Sequence, residues 1–115
     1  MIAHLVLYRP KPGLDAEARA EFVDALTAAH RDIPTIRRFT IGRRVEGGPV
    51  YNGIAIPDFP FMALIEFDDV DGLRSYLAHP VHAGLGQVFR SSLDAALVFD
   101  FQTADAGEAE QLLVE

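Results

Sequence analysis

Residues 2–8 of the chain read IAHLVLY, and His4 is the only strongly polar residue among them. Such a run of aliphatic and aromatic residues favours a β-strand, and a strand points successive side chains to opposite sides of its sheet. One side of this strand then carries His4, Val6 and Tyr8, and the other carries Ala3, Leu5 and Leu7. Because neither side is suited to water, the pattern predicts a strand that is covered on both faces.

A first helix is predicted after this strand. Asp15 offers an N-cap for a helix of about four turns, and Pro34 ends it because proline cannot continue the backbone hydrogen bonds. The apolar stripe of this helix contains Ala18, Phe22, Ala25, Leu26, Ala29 and Ile33. These positions recur at helical spacing, so we expect this face of the helix to be buried.

The rest of the chain completes a mixed pattern. Further strands are predicted over residues 36–45, 61–67 and 93–101. A second helical region begins after an N-cap at Asp69 or Asp71, and Pro80 makes it restart as a segment over residues 80–92. The resulting order is β-α-β-β-α-β, which is the ferredoxin-like split βαβ arrangement of an α+β protein.

The two-sided apolar pattern also predicts an assembly. Two helices cover only one side of a four-stranded sheet, yet the strands at 61–67 and 93–101 are again apolar on both sides. We therefore expect a homodimer in which two antiparallel sheets pack face to face and form a dimeric α/β barrel. The alternative is a monomer whose tail and long loop fold back over the sheet.

Length and composition limit the organisation of the chain. The 115 residues are 50% hydrophobic, which suits one compact domain, predicted over residues 1–101 and followed by an acidic tail at 102–115. The glycine- and proline-rich stretch at 46–60 is expected to be a lid or a dimer-crossing arm, or else a plain surface insertion. The role of this stretch stays open at the level of sequence.

Charge and cysteine content exclude several classes of function. The chain has no cysteine and a formal net charge of −7. Disulfides, thiolate zinc sites and thiol nucleophiles are therefore excluded, and the negative charge disfavours a nucleic-acid partner. The apolar N-terminal run is too short for a signal peptide or a membrane span. We expect a cytoplasmic protein with no membrane partner.

The chemistry-bearing residues concentrate in residues 76–86, YLAHPVHAGLG. A histidine can remove a proton next to a carbonyl group at neutral pH, and a buried phenol can donate to the oxygen that gains charge. His82 and Tyr76 suit these roles, although both could instead be structural. His79 directly precedes Pro80 and is better suited to an N-cap. A metal site formed by His4, His79 and His82 is a weaker alternative, because Pro80 interrupts the helical spacing.

The run Tyr76-x-x-His79-Pro80-x-His82-x-Gly84 resembles the stress-responsive dimeric α/β-barrel family. The resemblance extends from Ile2 to about Phe101. It is reinforced by Ile33-Pro34, by Gly42 and by the run Val98-Phe99-Asp100-Phe101. It implies a homodimer with facing sheets and, in each subunit, a hydrophobic pocket between the helices and the sheet.

The same segment closely resembles that of a plant polyketide cyclase in this family. The resemblance implies that His82 is a general base and that Tyr76 supports it or the attacked carbonyl, without cofactor or metal. The residues expected to bind the substrate are His4, Val6, Tyr8, Phe22, Leu26, His79, Leu85 and Phe89. Phe61 stands where the cyclase has another pocket histidine, so a different substrate is expected.

Two functions follow from these residues. The first is a cofactor-free enzyme that cyclises or isomerises a small hydrophobic carbonyl compound. The second is a non-catalytic, stress-associated dimer that binds an apolar ligand or serves only as a scaffold. A shared cavity of ligand size at His82 and Tyr76 would favour the first.

Overall fold

The computed structural model describes residues 1–46 and 58–113. The strands and main helices are β1 (Ile2–Pro10), α1 (Ala16–Asp32), β2 (Arg38–Arg43), β3 (Phe61–Phe67), α2 (Val70–Ala78), α3 (Pro80–Ser92) and β4 (Leu93–Gln102). A 3-10 turn (Ala106–Glu108) and a short helix, α4 (Glu110–Leu113), follow β4. The predicted β-α-β-β-α-β order is therefore confirmed, with its second helix divided into α2 and α3.

The strands form one antiparallel sheet in the order β2-β3-β1-β4. The central strand β1 pairs with β3 on one side and with β4 on the other. In this register His4 lies between Ile65 of β3 and Asp100 of β4. The four-stranded antiparallel sheet with helices on one face is the predicted ferredoxin-like α+β arrangement.

Short polar side chains fix where the helices begin. The Asp15 carboxylate accepts the backbone N–H of Ala18 at 2.8 Å, as predicted for the N-cap of α1. Asp69, rather than Asp71, caps α2, because its carboxylate accepts the N–H of Gly72 at 2.8 Å. These contacts satisfy N–H groups that have no partner within the first helical turn.

The break between α2 and α3 lies at His79. The His79 ring nitrogen Nδ1 accepts the backbone N–H of Val81 at 3.1 Å, and Pro80 occupies the first turn of α3. Proline fits there because its missing N–H would have no helical partner. The predicted N-cap role of His79 is confirmed.

The core lies between the helices and one face of the sheet. Its largest fully buried side chains are Tyr76, Phe67 and Ile65. Of the apolar stripe predicted for α1, Ala29 and Ile33 are buried, and Leu26 packs against the same core while remaining partly buried. Helical and strand periodicity together therefore place the sequence-predicted core side chains on this face.

The opposite face of the sheet, which we call the open face, is apolar, and the described residues 1–46 and 58–113 leave much of its β4 part exposed. Leu97, Phe99 and Phe101 on β4 are 41%, 43% and 50% exposed. They alternate with Val98 and Asp100, whose register partners on β1 face the helices. The open face is thus the second apolar side that the sequence pattern predicts.

Three of the predicted strands differ at their ends, and β4, predicted to end at Phe101, continues to Gln102. Predicted over residues 36–45, β2 spans only Arg38–Arg43, because Ile36 belongs to a turn in which its N–H bonds to the Ile33 carbonyl at 3.3 Å. Predicted to end at residue 8, β1 continues to Pro10, since Arg9 pairs with Ala95 of β4 and Pro10, after a register shift, pairs with Leu93. The ends of a strand depend on its pairing with a neighbouring strand, and the residue pattern of one strand carries no information about that pairing.

Three predictions are not settled by these elements. The loop predicted at residues 46–60 lies mostly outside the described residues. The boundary between a domain over residues 1–101 and an acidic tail at 102–115 also stays a prediction, as does the cytoplasmic location. Among the helices of the described ranges, none is long and apolar enough to cross a membrane.

Candidate functional site

A cavity of about 260 Å³ lies between the sheet and helices α2 and α3. We call it the first cavity. Tyr76 and His82 both line it. Its walls are otherwise mainly apolar and include Val6, Phe39, Ile65, Leu85, Phe89 and Val98. Val98 is 55% exposed, so the cavity borders solvent on the side of β4.

The helix break brings Tyr76 and His82 together. Tyr76 lies in the last turn of α2, and His82 lies in the first turn of α3. Their rings meet edge to face with centroids 4.7 Å apart. Tyr76 is only 2% exposed, whereas His82 is partly buried. The arrangement places a phenol and an imidazole on the wall of one cavity.

A second imidazole lies on the other side of Tyr76. The ring of His4 contacts the Tyr76 ring edge to face at 5.5 Å between centroids. His4 Nδ1 lies 2.6 Å from Asp100 Oδ1, and the His4 side chain is 7% exposed while that of Asp100 is 44% exposed. The contact orients the His4 ring, because the carboxylate accepts a proton held on Nδ1.

The surroundings lower the pKa of His82 and raise the pKa of Tyr76. Burial lowers the pKa of His82 below its ordinary value of 6.5, and the charge of His4 lowers it further, while the backbone of Leu77 opposes this in part. Burial, helped by the Asp100 carboxylate, raises the pKa of Tyr76 above its ordinary value of 10.0. At neutral pH, His82 is mainly an uncharged base and Tyr76 remains a proton donor.

A larger second cavity, of about 530 Å³, lies where β1 leads into α1. Its lining includes Tyr8, Phe22, Leu26, Ile41 and Phe61, together with the cationic side chains of Lys11 and Arg19. The predicted substrate-binding residues are therefore divided between two cavities. His4, Val6, Leu85 and Phe89 line the first cavity, and Tyr8, Phe22 and Leu26 line the second. His79 is among the lining residues of neither.

Sequence reasoning missed the contribution of Asp100. In the sequence, Asp100 stands out only as a member of the run Val98-Phe99-Asp100-Phe101 that resembles the family. The available signal was a lone carboxylate within the apolar strand LVFDF. Its contact with His4 depends on the pairing of β1 with β4, and alternation along one strand does not determine the register with another.

The histidines do not form a metal-binding cluster within the described part of the chain. No group of three or more potential metal-ligating side chains is found among residues 1–46 and 58–113. His79 instead uses Nδ1 to cap α3, and His4 is engaged with Asp100. The three-histidine alternative therefore receives no geometric support.

Comparison with known proteins gives a consistent result over nearly the whole chain. The model of the family described as the stress responsive A/B barrel domain matches residues 2–103. Olivetolic acid cyclase of Cannabis sativa is 24% identical over 100 residues, which cover 87% of this chain and 94% of the cyclase. The family resemblance predicted from the segment around Tyr76 is confirmed.

Solved structures show the same fold. A hydroxynitrile lyase from Passiflora edulis has a TM-score of 0.74 at 15% identity, covering 91% of this chain and 94% of the lyase. A dimeric ferredoxin-like protein of unknown function from Thermobifida fusca has a TM-score of 0.68 at 22% identity, covering 89% of this chain and 90% of that protein. At these identities the likeness establishes the ferredoxin-like fold.

Proposed function

Because the chain belongs to the stress responsive A/B barrel domain family, we propose that it is a cofactor-free enzyme that transfers protons on a small hydrophobic carbonyl compound. The contact between the Tyr76 and His82 rings, 4.7 Å apart on the wall of one cavity, carries the proposal. Two of the similar proteins, olivetolic acid cyclase and the hydroxynitrile lyase, are enzymes, and this supports an enzymatic function for the chain. The apolar wall suits a hydrophobic substrate.

The proposed reaction begins with His82 as the general base. Its neutral imidazole takes a proton from a carbon next to the substrate carbonyl, and the electron pair of the broken C–H bond forms an enolate. The lowered pKa of His82 keeps the base uncharged at neutral pH.

Tyr76 is the proposed donor to the enolate oxygen. Its O–H remains protonated because burial raises its pKa, and a donor aimed at developing charge stabilises the transition state. In a cyclisation, the enolate carbon attacks a second carbonyl of the same molecule and forms a C–C bond. Protonated His82 then returns its proton to the new alkoxide, so the reaction needs no oxidant or reductant.

His4 and Asp100 are proposed positioning residues. Asp100 holds the His4 ring through a 2.6 Å contact, and the edge of that ring packs against Tyr76. Removing either group takes away one of the contacts that hold the Tyr76 ring, so we expect the ring to be less firmly positioned at the cavity wall. A displacement of a catalytic group by about 1 Å can lower the reaction rate on the order of 10²-fold. His4 and Asp100 would therefore contribute to the rate by positioning Tyr76, without taking the substrate proton.

We propose further that the protein is a homodimer joined through the open faces of two sheets. The exposed side chains of Leu97, Phe99 and Phe101 support this assembly, because monomeric proteins rarely leave so contiguous an apolar surface in water. Burial against an identical face would form the predicted α/β barrel. The dimeric state of the matched Thermobifida fusca protein is consistent with it.

The test measures proton abstraction directly and does not require the natural substrate. Benzylacetone and phenylacetone are incubated with the protein in heavy water, and NMR follows deuterium incorporation next to the carbonyl. We expect protein-dependent exchange that falls on the order of 10²-fold or more in His82→Ala. In Tyr76→Phe we expect a loss on the order of 10²-fold, because the donor to the enolate oxygen is removed.

The matched control is His30→Gln, which removes an exposed histidine on α1 that lines neither cavity. It should exchange the ketones at the wild-type rate. Equal exchange in wild type and His82→Ala would contradict the role of His82. Binding of the ketones without any protein-dependent exchange would favour the alternative of a non-catalytic ligand-binding dimer.

A further inference from the structure

The second cavity combines an apolar interior with a cationic rim. Its volume of about 530 Å³ lies within the range typical of small-molecule sites. We propose that it is a separate binding site for an amphipathic carboxylate of the fatty-acid type, with the chain inside the cavity and the carboxylate at the rim. This site does not depend on the chemistry proposed at His82.

Aromatic and aliphatic side chains form the interior. Tyr8 is buried with 3% exposure, and its ring contacts Phe22 and Phe61 with centroids 5.6 Å away in each case. Leu26 and Ile41 add aliphatic surface from α1 and β2. Burying an alkyl chain against such surface contributes about 0.8 kcal/mol for each methylene removed from water.

Lys11 and Arg19 supply the charge at the rim. Both are exposed, and both line the cavity. The Lys11 backbone N–H donates to the Ser92 carbonyl at 2.8 Å, and Arg19 Nη1 donates to the Leu14 carbonyl at 2.9 Å. These contacts hold the segment and the guanidinium near the cavity, while the remaining Arg19 N–H groups can donate to a ligand.

Gly13 lets the chain place these two cations at one rim. It has a φ of 78° in the turn between β1 and α1, a conformation that glycine adopts without strain.

The described lining residues of this cavity include no aspartate or glutamate, although the whole chain has a net charge of −7. This local reversal of charge favours an anion over a neutral or cationic ligand.

An aromatic wall separates this cavity from the first. Phe89 lines the first cavity and stacks on Phe22 of the second at 5.0 Å between centroids. Tyr8 also contacts Phe89, at 5.8 Å. Because these packed rings lie between the two cavities, we expect a ligand of the second cavity to stay clear of Tyr76 and His82.

A carboxylate fits the rim better than an uncharged head group does. The planar guanidinium of Arg19 can donate two parallel N–H groups to the two carboxylate oxygens, and the Lys11 ammonium adds a second positive charge. A neutral alcohol with the same alkyl chain would gain the apolar contacts but leave both charges without an anionic partner. Discrimination between these two ligands therefore tests the rim.

The experiment compares decanoate with decanol by isothermal titration calorimetry. We expect wild type to bind decanoate more tightly than decanol. The double variant Lys11→Gln/Arg19→Gln should weaken decanoate binding by about tenfold, as expected for losing a charge-assisted contact, and should leave decanol binding unchanged. Arg74→Gln, which removes an exposed charge on α2 remote from the cavity lining, is the matched control and should bind both ligands like wild type.

Methyl NMR locates the bound decanoate. The resonances of Leu26 and Ile41 should shift, whereas those of Leu85 and Ile65, which line the first cavity, should not. His82→Ala should keep the wild-type affinity for decanoate, so failure of the proposed enzyme function would leave this result unaffected. Equal affinity for decanoate and decanol, or methyl shifts confined to the first cavity, would overturn the proposed site.

Discussion

The two faces of the sheet have similar apolar composition but different surroundings. The helix-facing side buries Ile65 to 1% exposure, while Phe99 on the open face is 43% exposed. The helix-facing side also holds the polar contact between His4 and Asp100. The comparison shows that alternation along a strand specifies two apolar surfaces, whereas the helices in the described part of the chain cover only one of them.

The largest expected effect comes from adjacent residues on β3 that point to opposite faces. Ile65→Ala should lower the free energy of unfolding by about 2–5 kcal/mol, because it leaves a cavity in the core. Leu64→Ala should lower it by about 1 kcal/mol in dilute protein, since Leu64 is only partly buried within one chain. Urea unfolding of both variants measures the difference.

The concentration dependence of these two variants sharpens the contrast. If the open face joins two subunits, the effect of Leu64→Ala should grow as the protein concentration rises, because dimerisation adds stability by mass action. The loss of unfolding free energy caused by Ile65→Ala, relative to wild type, should not change with protein concentration. Equal destabilisation by the two substitutions in dilute protein would show that the two faces are not differently covered.

The second effect concerns assembly. Phe99→Asp should convert the dimer to a particle near the chain mass of 12.6 kDa, because a carboxylate in the centre of an apolar interface would be buried without a partner. We expect dimer affinity to fall by on the order of 10²-fold or more. Analytical ultracentrifugation at micromolar concentration measures the change.

Val70→Asp is the matched control for this substitution. Val70 is also an exposed apolar residue, with 42% exposure, but it lies at the start of α2 on the helix side of the sheet. An acid there is compatible with the helix N-terminus, so the variant should assemble like wild type. A wild-type protein that sediments as a monomer would contradict the proposed interface.

The smallest effect is a pH dependence of stability on the helix-facing side. The folded chain binds a proton at His82 only below the ordinary pKa of 6.5, because burial lowers the pKa. Between the lowered value and 6.5 the unfolded chain binds more protons, so the free energy of unfolding rises with pH in this window. His82→Gln should flatten that rise.

Urea unfolding at a series of pH values checks this expectation. Arg74→Gln serves as the control, because it removes an exposed charge on α2 without replacing a histidine, and it should keep the wild-type slope. The stability assigned to neutral His82 should be present above pH 6.5 and be lost as the pH falls through the folded pKa. An unchanged slope in His82→Gln would mean that burial does not restrain protonation at this ring.

Local chemistry allowed several details to be predicted from single positions. Asp15 and His79 were predicted as N-caps, and both accept the expected backbone N–H groups. These interactions join residues two or three apart, so the local sequence contains both partners. The predicted bounds of β3 and α3 also match the structure, because Pro60 and Pro80 mark where the regular elements can begin.

Contacts between distant segments were harder to predict. Asp100 meets His4 across 96 positions of the chain, and this pair depends on strand register. Tyr8 and Phe22 were assigned to the same pocket as His82, but they line the second cavity. Side-chain periodicity correctly placed them on the inner side of their elements, yet the packing of rings around Phe89 decides which cavity they border.

The sequence by itself determined the order of strands and helices, the helix caps and the existence of two apolar sheet faces, because these properties depend on backbone chemistry and on spacing within one element. Only the tertiary structure decided that Asp100 orients His4, that Tyr76 lies between two imidazoles, and that the residues expected in one pocket line two different cavities. Those features require distant segments to meet in one register and at one packing distance, and neither quantity is encoded by the periodicity of a single segment.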